Sequence, residues 1–248
     1  MPDVPPEASS EERLLPKGTF KTFLPGPEPL RDDLHYLVIE GVIGAGKTTL
    51  AQLLAERFEA HLVLEAFEQN PFLGRFYQDS ARWAFQTQLA FLASRFQQQK
   101  ALALRDLFHQ AVISDYAFDK DRIFAHLNLD GDERQLYETL FTLMQPATPT
   151  PDLVVYLQST PDRLLQNIAE RGRPYEKDIS PDYIRSLNEA YDYYFFRYNR
   201  SPLLIVNTAR IDFVKNKSDL EELVRQIATL RHHGMTYFNP ARSDAPAS

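Results

Sequence analysis

Short apolar runs alternate along the chain with longer segments in which apolar residues recur at helical spacing. The runs contain few polar positions, which is typical of strands covered on both faces. They predict strands at residues 36–40, 62–65, 111–114, 153–157 and 203–206. Helical segments follow Gly46, cover about 72–108, begin near Thr160, span about 181–198 and resume near Ser218. This alternation predicts an α/β fold, a five-stranded parallel sheet with helices on both faces.

Composition refines this picture at the two ends of the chain. The 248 residues are 44% hydrophobic, enough for one large core. Residues 1–33 are rich in Pro, Glu and Ser, and we predict a mobile tail because such a segment cannot bury enough apolar surface to fold alone. Residues 231–248 look similar and predict a second tail, which leaves a folded domain over residues 34–230.

Charge and cysteine content exclude several classes of function. The formal net charge is -7, which argues against nucleic acid or an anionic membrane as the main partner. The chain has no cysteine, so disulfides, thiolate nucleophiles and Cys-containing zinc sites are excluded. No apolar run reaches 18 residues and the first residues lack the pattern of a secretory signal. These features predict a cytoplasmic protein.

The strongest motif is a P-loop between the first predicted strand and a helix. Residues 41–48 read Gly-Val-Ile-Gly-Ala-Gly-Lys-Thr, a complete G-x-x-x-x-G-K-T. In this motif backbone N–H groups surround phosphate oxygens, the lysine reaches the β and γ phosphates, and the threonine hydroxyl binds Mg²⁺. The motif assigns nucleotide binding to Gly41, Gly44, Ala45, Gly46, Lys47, Thr48 and Thr49.

A P-loop fits GTPases, ATPases and kinases alike. Residues 216–219 read Asn-Lys-Ser-Asp, which matches the guanine-reading pattern N-K-x-D. However, no D-x-x-G occurs anywhere in the chain, and Ser218 with Asp219 suits the cap of the last helix. The GTPase interpretation is therefore disfavoured.

Two carboxylates at strand ends indicate chemistry on an acceptor molecule. Glu65 closes the second predicted strand, at the edge of the sheet where α/β proteins bind ligands. It could accept a proton from an acceptor hydroxyl, or it could be a solvated strand-end acid. Asp115 follows the third strand, where P-loop enzymes place a carboxylate that holds the metal. Its alternative is a helix-capping Asp.

Polar side chains farther along the chain predict an acceptor pocket and a lid. Tyr77, Gln88 and Arg95 are spaced by eleven and seven residues, which places them on one face of a continuous helix. An amide there can read the edge of a nucleobase, although a solvated polar stripe shows the same spacing. Arg171 and Arg173 suit a lid that balances phosphate charge, or a basic helix end.

Together these motifs resemble the deoxynucleoside kinases, the bacterial purine-type branch most closely. The resemblance covers about residues 36–230. It rests on G-V-I-G-A-G-K-T-T-L, on E-Q-N-P-F-L after Glu65, on R-F-Y-Q-D-S-A-R-W-A-F-Q-T-Q, on I-S-D-Y-A-F-D-K-D-R-I-F-A and on E-R-G-R-P-Y-E. It implies a P-loop kinase fold with an arginine-bearing lid, a homodimer, and a nucleotide salvage reaction. In that reaction the γ-phosphoryl group of ATP, with Mg²⁺, passes to the 5'-hydroxyl of deoxyadenosine or deoxyguanosine.

The resemblance also implies individual roles. Glu65 corresponds to the general base, Asp115 joins Thr48 at the metal, and Asp212 and Phe213 lie near the donor adenine. The residues implied in catalysis are Glu65, Lys47, Arg171 and Arg173. The residues implied in acceptor binding are Glu65, Tyr77, Gln88, Arg95, Asp121, Phe124 and Glu176. Asp121 is preferred to Asp119 as the acid that assists base reading.

Two positions depart from the family pattern. Tyr116 stands where animal-type enzymes carry an arginine, and Asn167 stands where a further lid arginine is expected. Lys120 is a candidate substitute for one of these charges. Two alternatives remain, a thymidylate-type nucleoside monophosphate kinase and a catalytically silent nucleotide-binding subunit. The first needs cations for the acceptor's own phosphate, and the second is weakened by the presence of Lys47, Thr48, Glu65 and Asp115.

Overall fold

A parallel β-sheet flanked by helices organises the chain. The computed structural model describes residues 30–103, 111–209, 211–230 and 234–240. Six strands follow the order β2-β3-β1-β4-β5-β6, and every neighbouring pair is parallel. They are β1 (Tyr36–Gly41), β2 (His61–Val63), β3 (Val112–Ser114), β4 (Leu153–Gln158), β5 (Leu203–Asn207) and β6 (Met235–Phe238). The predicted α/β architecture with a parallel sheet is confirmed, and the strand count is corrected from five to six.

The strand that the sequence pattern missed is β6, which lies inside the predicted tail over residues 231–248. It pairs with β5 from Leu203 opposite Met235 to Val206 opposite Phe238. Only four residues form it, and Tyr237 is 54% exposed. A short, half-exposed edge strand carries no continuous apolar run, so pattern analysis cannot separate it from a tail.

Eight α-helices are found among the described residues. They are α1 (Lys47–Arg57), α2 (Leu73–Gln78), α3 (Ser80–Ala103), α4 (Lys120–Asn128), α5 (Gly131–Met144), α6 (Pro161–Arg171), α7 (Pro181–Phe195) and α8 (Lys217–Thr229). The single helix predicted over residues 72–108 is wrong in one respect, because the chain breaks between α2 and α3. Asp79 there is non-helical, with φ -147° and ψ 81°, and its Oδ1 accepts the N–H of Arg82 at 3.2 Å. Residues 104–108 of that prediction lie outside the described ranges.

Two apolar clusters place the site between them. The larger surrounds the sheet and includes buried side chains from β1, β3, β4 and β5, whereas β2 and β6 contribute only partly buried ones. The smaller joins α2, α3, α4 and α5 through Phe76, Leu92, Phe118, Tyr137 and Phe141, among others. The carboxyl ends of β1 and β3 therefore face helices with a core of their own, and a cavity forms where the two clusters meet. Within the described ranges no helix is long and apolar enough to cross a membrane.

Candidate active site

The P-loop takes its shape from glycines whose backbone conformation other residues rarely adopt. Gly44 and Gly46 have φ values of 87° and 91°, in the left-handed region. A Cβ on Gly44 would lie 2.7 Å from the carbonyl oxygen of Leu164, and one on Gly46 would lie 3.0 Å from the ring of Phe213. The loop therefore packs directly against α6 and residue 213 while α1 begins at Lys47.

Lys47 extends back over the P-loop. Its Nζ donates to the carbonyl oxygens of Gly41 at 2.8 Å and Val42 at 3.1 Å. Burial and the nearby charge of Lys120 lower the pKa of Lys47 to about 8, although Glu40, Glu65 and Asp115 act against that shift. The ammonium lines the cavity and is placed to receive an anionic ligand.

Thr48 and Asp115 form a pair of oxygen ligands at the start of α1. The Thr48 hydroxyl lies 2.5 Å from Asp115 Oδ2. Mg²⁺ takes oxygen ligands and usually completes its shell with substrate phosphates and water, so this donor set fits that ion. In the described part of the chain no group of three or more His, Asp or Glu side chains could hold a metal.

Glu65 follows β2 and faces this pair across the cavity. Its backbone N–H donates to Asp115 Oδ1 at 2.8 Å, so one carboxylate joins Glu65 to the P-loop hydroxyl. The Glu65 Oε1 accepts from Arg95 Nε at 2.9 Å, and Oε2 accepts from Lys120 Nζ at 2.5 Å. Burial opposes ionisation, but Arg95 and Lys120 outweigh it and hold the pKa of Glu65 well below its usual range.

Arg95 connects Glu65 to a second acid that lies deeper in the protein. Its guanidinium bonds to Asp121 Oδ1, and the Asp121 side chain is completely buried. Burial raises the pKa of Asp121 to about 7 despite the nearby Arg95. Asp119 points elsewhere, since it pairs with Arg200 and accepts from Gln145 Nε2 at 2.9 Å. Asp121 is thus positioned to act through Arg95, which itself lines the cavity.

The remaining acceptor candidates surround one cavity of about 770 Å³, its open mouth included. Tyr77 reaches it from α2, so the break at Asp79 does not separate it from Gln88 and Arg95 on α3. Gln88 is 1% exposed, and its Oε1 has no hydrogen-bond partner among the residues that the structure describes. A buried amide oxygen without a partner is costly, so this atom is suited to a ligand that donates a hydrogen bond. Phe124 adds an aromatic face from α4.

The predicted lid lies at the carboxyl end of α6. Gly172, with φ 65°, ends the helix, and Arg171 and Arg173 both line the cavity. Glu176 receives Arg171 Nε at 3.1 Å and lies 3.7 Å from an Arg173 nitrogen. The Arg173 guanidinium also stacks 4.7 Å from the ring centroid of Phe67. Two guanidiniums and one carboxylate thus form part of the cavity wall.

The comparison with known families decides the assignment. The protein family described as "Deoxynucleoside kinase" matches residues 37–232, which is nearly the whole described structure. The chain belongs to the deoxynucleoside kinase family. The prediction of an ATP-dependent deoxynucleoside kinase, with the bacterial branch most similar, is thereby confirmed.

Individual relatives agree with this family. Deoxyguanosine kinase of Bacillus subtilis (strain 168) is 34% identical over 200 residues, which is 79% of this chain and 97% of that protein. Deoxyadenosine kinase of Dictyostelium discoideum is 32% identical over 210 residues, 82% of both. The structure of deoxyadenosine kinase from M. mycoides with bound dATP superposes with a TM-score of 0.68 at 23% identity, covering 77% of this chain and 98% of that one. The structural match shows the shared fold.

Some of the site residues predicted for this deoxynucleoside kinase do not line the cavity. Phe213 packs against Gly46, and Asp212 accepts the N–H groups of Val214 at 3.2 Å and Lys215 at 3.0 Å, so both shape the loop beside the P-loop. Ala45 is buried in the P-loop, and Thr49 is half-buried in the first turn of α1.

The cavity also contains residues that were not assigned from the sequence, namely Phe67, Leu73, Phe76, Thr87, Phe91 and Tyr183. In the sequence these residues are distinguished only by their apolar or weakly polar character. Core residues share that character, so the sequence does not separate the two groups.

Asn167 makes a contact that the sequence alone does not indicate. Its Nδ2 donates to the carbonyl oxygen of Gly44 at 2.8 Å. The residue at the position of the expected further lid arginine therefore ties α6 to the P-loop instead of adding charge. The lid helix and the nucleotide loop are joined before any ligand binds.

Proposed function

We propose that this enzyme phosphorylates the 5'-hydroxyl of a purine deoxynucleoside, deoxyadenosine or deoxyguanosine, with ATP as donor. One observation carries the proposal. Asp115 bonds through one oxygen to the P-loop residue Thr48 and through the other to the backbone of Glu65. A carboxylate suited to accept a proton thus lies at the phosphate end of the nucleotide loop, as transfer between a triphosphate and an alcohol requires.

The chemistry assigned to the side chains follows from their positions. Glu65 accepts the 5'-hydroxyl proton, a bond forms between that oxygen and the γ-phosphorus, and the bond to the bridging oxygen of ADP breaks. Lys47, Arg171 and Arg173 offset charge on the transferring group. Thr48 and Asp115 would hold Mg²⁺, which would offset negative charge on the nucleotide phosphates. Positioning and electrostatics supply most of the rate enhancement.

The acceptor base is assigned to the part of the cavity around α3 and α4. The Gln88 amide offers a donor and an acceptor side by side, and Phe124 offers a face for stacking. Tyr77 and Glu176 are assigned to the sugar 3'-hydroxyl, and Asp121 acts through Arg95. Similar proteins are named deoxyguanosine and deoxyadenosine kinases, which supports a purine acceptor. A homodimeric, cytoplasmic enzyme is proposed on the family resemblance alone.

The acceptor is tested with purified protein, Mg²⁺, ATP and each of the four deoxynucleosides in turn. We expect kcat/KM for one purine deoxynucleoside to exceed both pyrimidine values by at least about tenfold, because contacts to the base edge discriminate at that level. The corresponding monophosphates serve as controls. A pyrimidine acceptor that performs best would contradict the purine assignment, and turnover of monophosphates alone would point to a nucleoside monophosphate kinase.

A further inference from the structure

Lys120 is a buried lysine inside the cavity. It is the first residue of α4 and only 7% exposed, and it lines the cavity with Lys47, Thr48 and Asp115. A lysine is almost never this buried unless its charge is paired, because removing an ammonium from water is costly. Its Nζ donates to Glu65 Oε2 at 2.5 Å. The Lys120 ammonium is therefore hydrogen-bonded to the Glu65 carboxylate, and the buried carboxylate of Glu40 lies near enough to feel its charge.

The two oxygens of Glu65 are held by cations from different helices. Arg95 on α3 binds Oε1, and Lys120 on α4 binds Oε2. Glu65 itself lies in the segment after β2, outside a helix or strand. With Arg95 alone the carboxylate could turn about that one oxygen. A second cation on the other oxygen sets the plane of the carboxylate and hence the direction of its lone pairs.

The backbone that carries Lys120 is itself anchored. The preceding residue, Asp119, is 5% exposed, pairs with Arg200 and accepts from Gln145 Nε2 at 2.9 Å. The Lys120 N–H donates to the carbonyl oxygen of Ala117 at 3.3 Å. Tyr116, directly after Asp115, is fully buried and brings no charge to this corner. The cation is therefore delivered from α4 and not from the segment that follows β3.

We propose that Lys120 is a positioning residue for phosphoryl transfer, acting through its bond to the Glu65 carboxylate. This inference rests on the proposed function, in which Glu65 accepts the acceptor's proton. An incoming 5'-hydroxyl then meets a carboxylate whose direction is already set. Loss of the lysine lowers kcat more than it weakens substrate binding, because a misdirected base mainly affects the reacting geometry.

The first test replaces Lys120 with Met and uses Lys100→Met as the matched control. Lys100 lies exposed on α3, so the same loss of charge there should leave kcat unchanged. We expect Lys120→Met to lower kcat by about 100-fold, while the KM for ATP and the KM for the deoxynucleoside each change by less than about threefold. Lys120→Arg should recover at least about tenfold of that loss, because it restores a cation. The melting temperature is measured for each variant, and Lys120→Gln repeats the comparison should the Met variant unfold.

A double-mutant cycle then separates positioning from a general structural effect. Glu65→Gln is made alone and together with Lys120→Met. If Lys120 acts through Glu65, the second substitution adds less than about threefold to the loss caused by the first. The inference would be overturned if the losses of the two single variants multiplied in the double variant. It would also be overturned if Lys120→Met kept a kcat within threefold of wild type, or if Lys120→Arg recovered none of the loss. The proposed function is judged separately, on wild-type turnover and on Glu65→Gln alone.

Discussion

The nucleotide side and the acceptor side of the cavity are built in different ways. On the nucleotide side, residues 41–48 are neighbours in sequence and in space, and their geometry depends on backbone conformation at Gly44 and Gly46. On the acceptor side, Glu65, Arg95 and Lys120 come from three distant segments and meet through charged side chains. The nucleotide side is thus formed by one continuous segment of the chain, whereas the acceptor side exists only once the protein has folded.

This difference predicts different sensitivities to mutation. The nucleotide side should tolerate changes that keep its backbone free to adopt positive φ, and it should fail where a side chain is added. The acceptor side should fail when a buried charge is removed, because the remaining partners stay buried and unpaired. Two substitutions test this contrast, and a third tests how the acceptor base is recognised.

The largest effect is expected from Glu65→Gln. The neutral amide cannot accept the proton of the acceptor hydroxyl, so kcat should fall by about 10³-fold. ATP binding, measured by titration calorimetry, should stay within a few-fold of wild type because the P-loop is untouched. Turnover close to that of wild type would remove Glu65 from the position of general base.

A smaller effect, confined to the nucleotide side, is expected from Gly44→Ala. The added Cβ would lie 2.7 Å from the Leu164 carbonyl oxygen at a φ of 87°, and strain of this kind costs about 1–3 kcal/mol. We expect the Kd for ATP to rise by up to about 100-fold. Gly74→Ala on α2 is the control, since nothing lies within 4 Å of the new atom. Equal ATP affinity in both variants would show that the loop is less constrained than its geometry indicates.

The smallest of the three effects is expected from Gln88→Leu on the acceptor side. The substitution removes the amide assigned to the base edge, so KM for the purine deoxynucleoside should rise by about 30-fold. KM for ATP should not change. Gln135→Leu, at an exposed position on α5, is the matched control. An unchanged KM for the deoxynucleoside would place base recognition elsewhere in the cavity.

Fold prediction succeeded where the pattern was regular. Five predicted strands appear in the sheet at nearly their predicted positions, because strands covered on both faces carry continuous apolar runs. It failed at β6, whose exposed edge position needs no such run, and at Asp79, where a single non-helical residue divides α2 from α3. Helices α4 and α5 were not singled out, because their apolar positions alternate with many charged ones; α4 packs into both clusters and α5 into the smaller one.

The P-loop and the kinase family can be identified from the sequence alone, because a phosphate-binding loop is defined by consecutive residue types and by the strand and helix that flank it. How the acceptor side is assembled becomes known only from the folded structure. It placed Asp121 behind Arg95, joined Asn167 to Gly44, and brought Lys120 onto Glu65. Pairing between buried charges depends on which distant segments are brought within hydrogen-bond distance, and residue spacing along the chain does not contain that information.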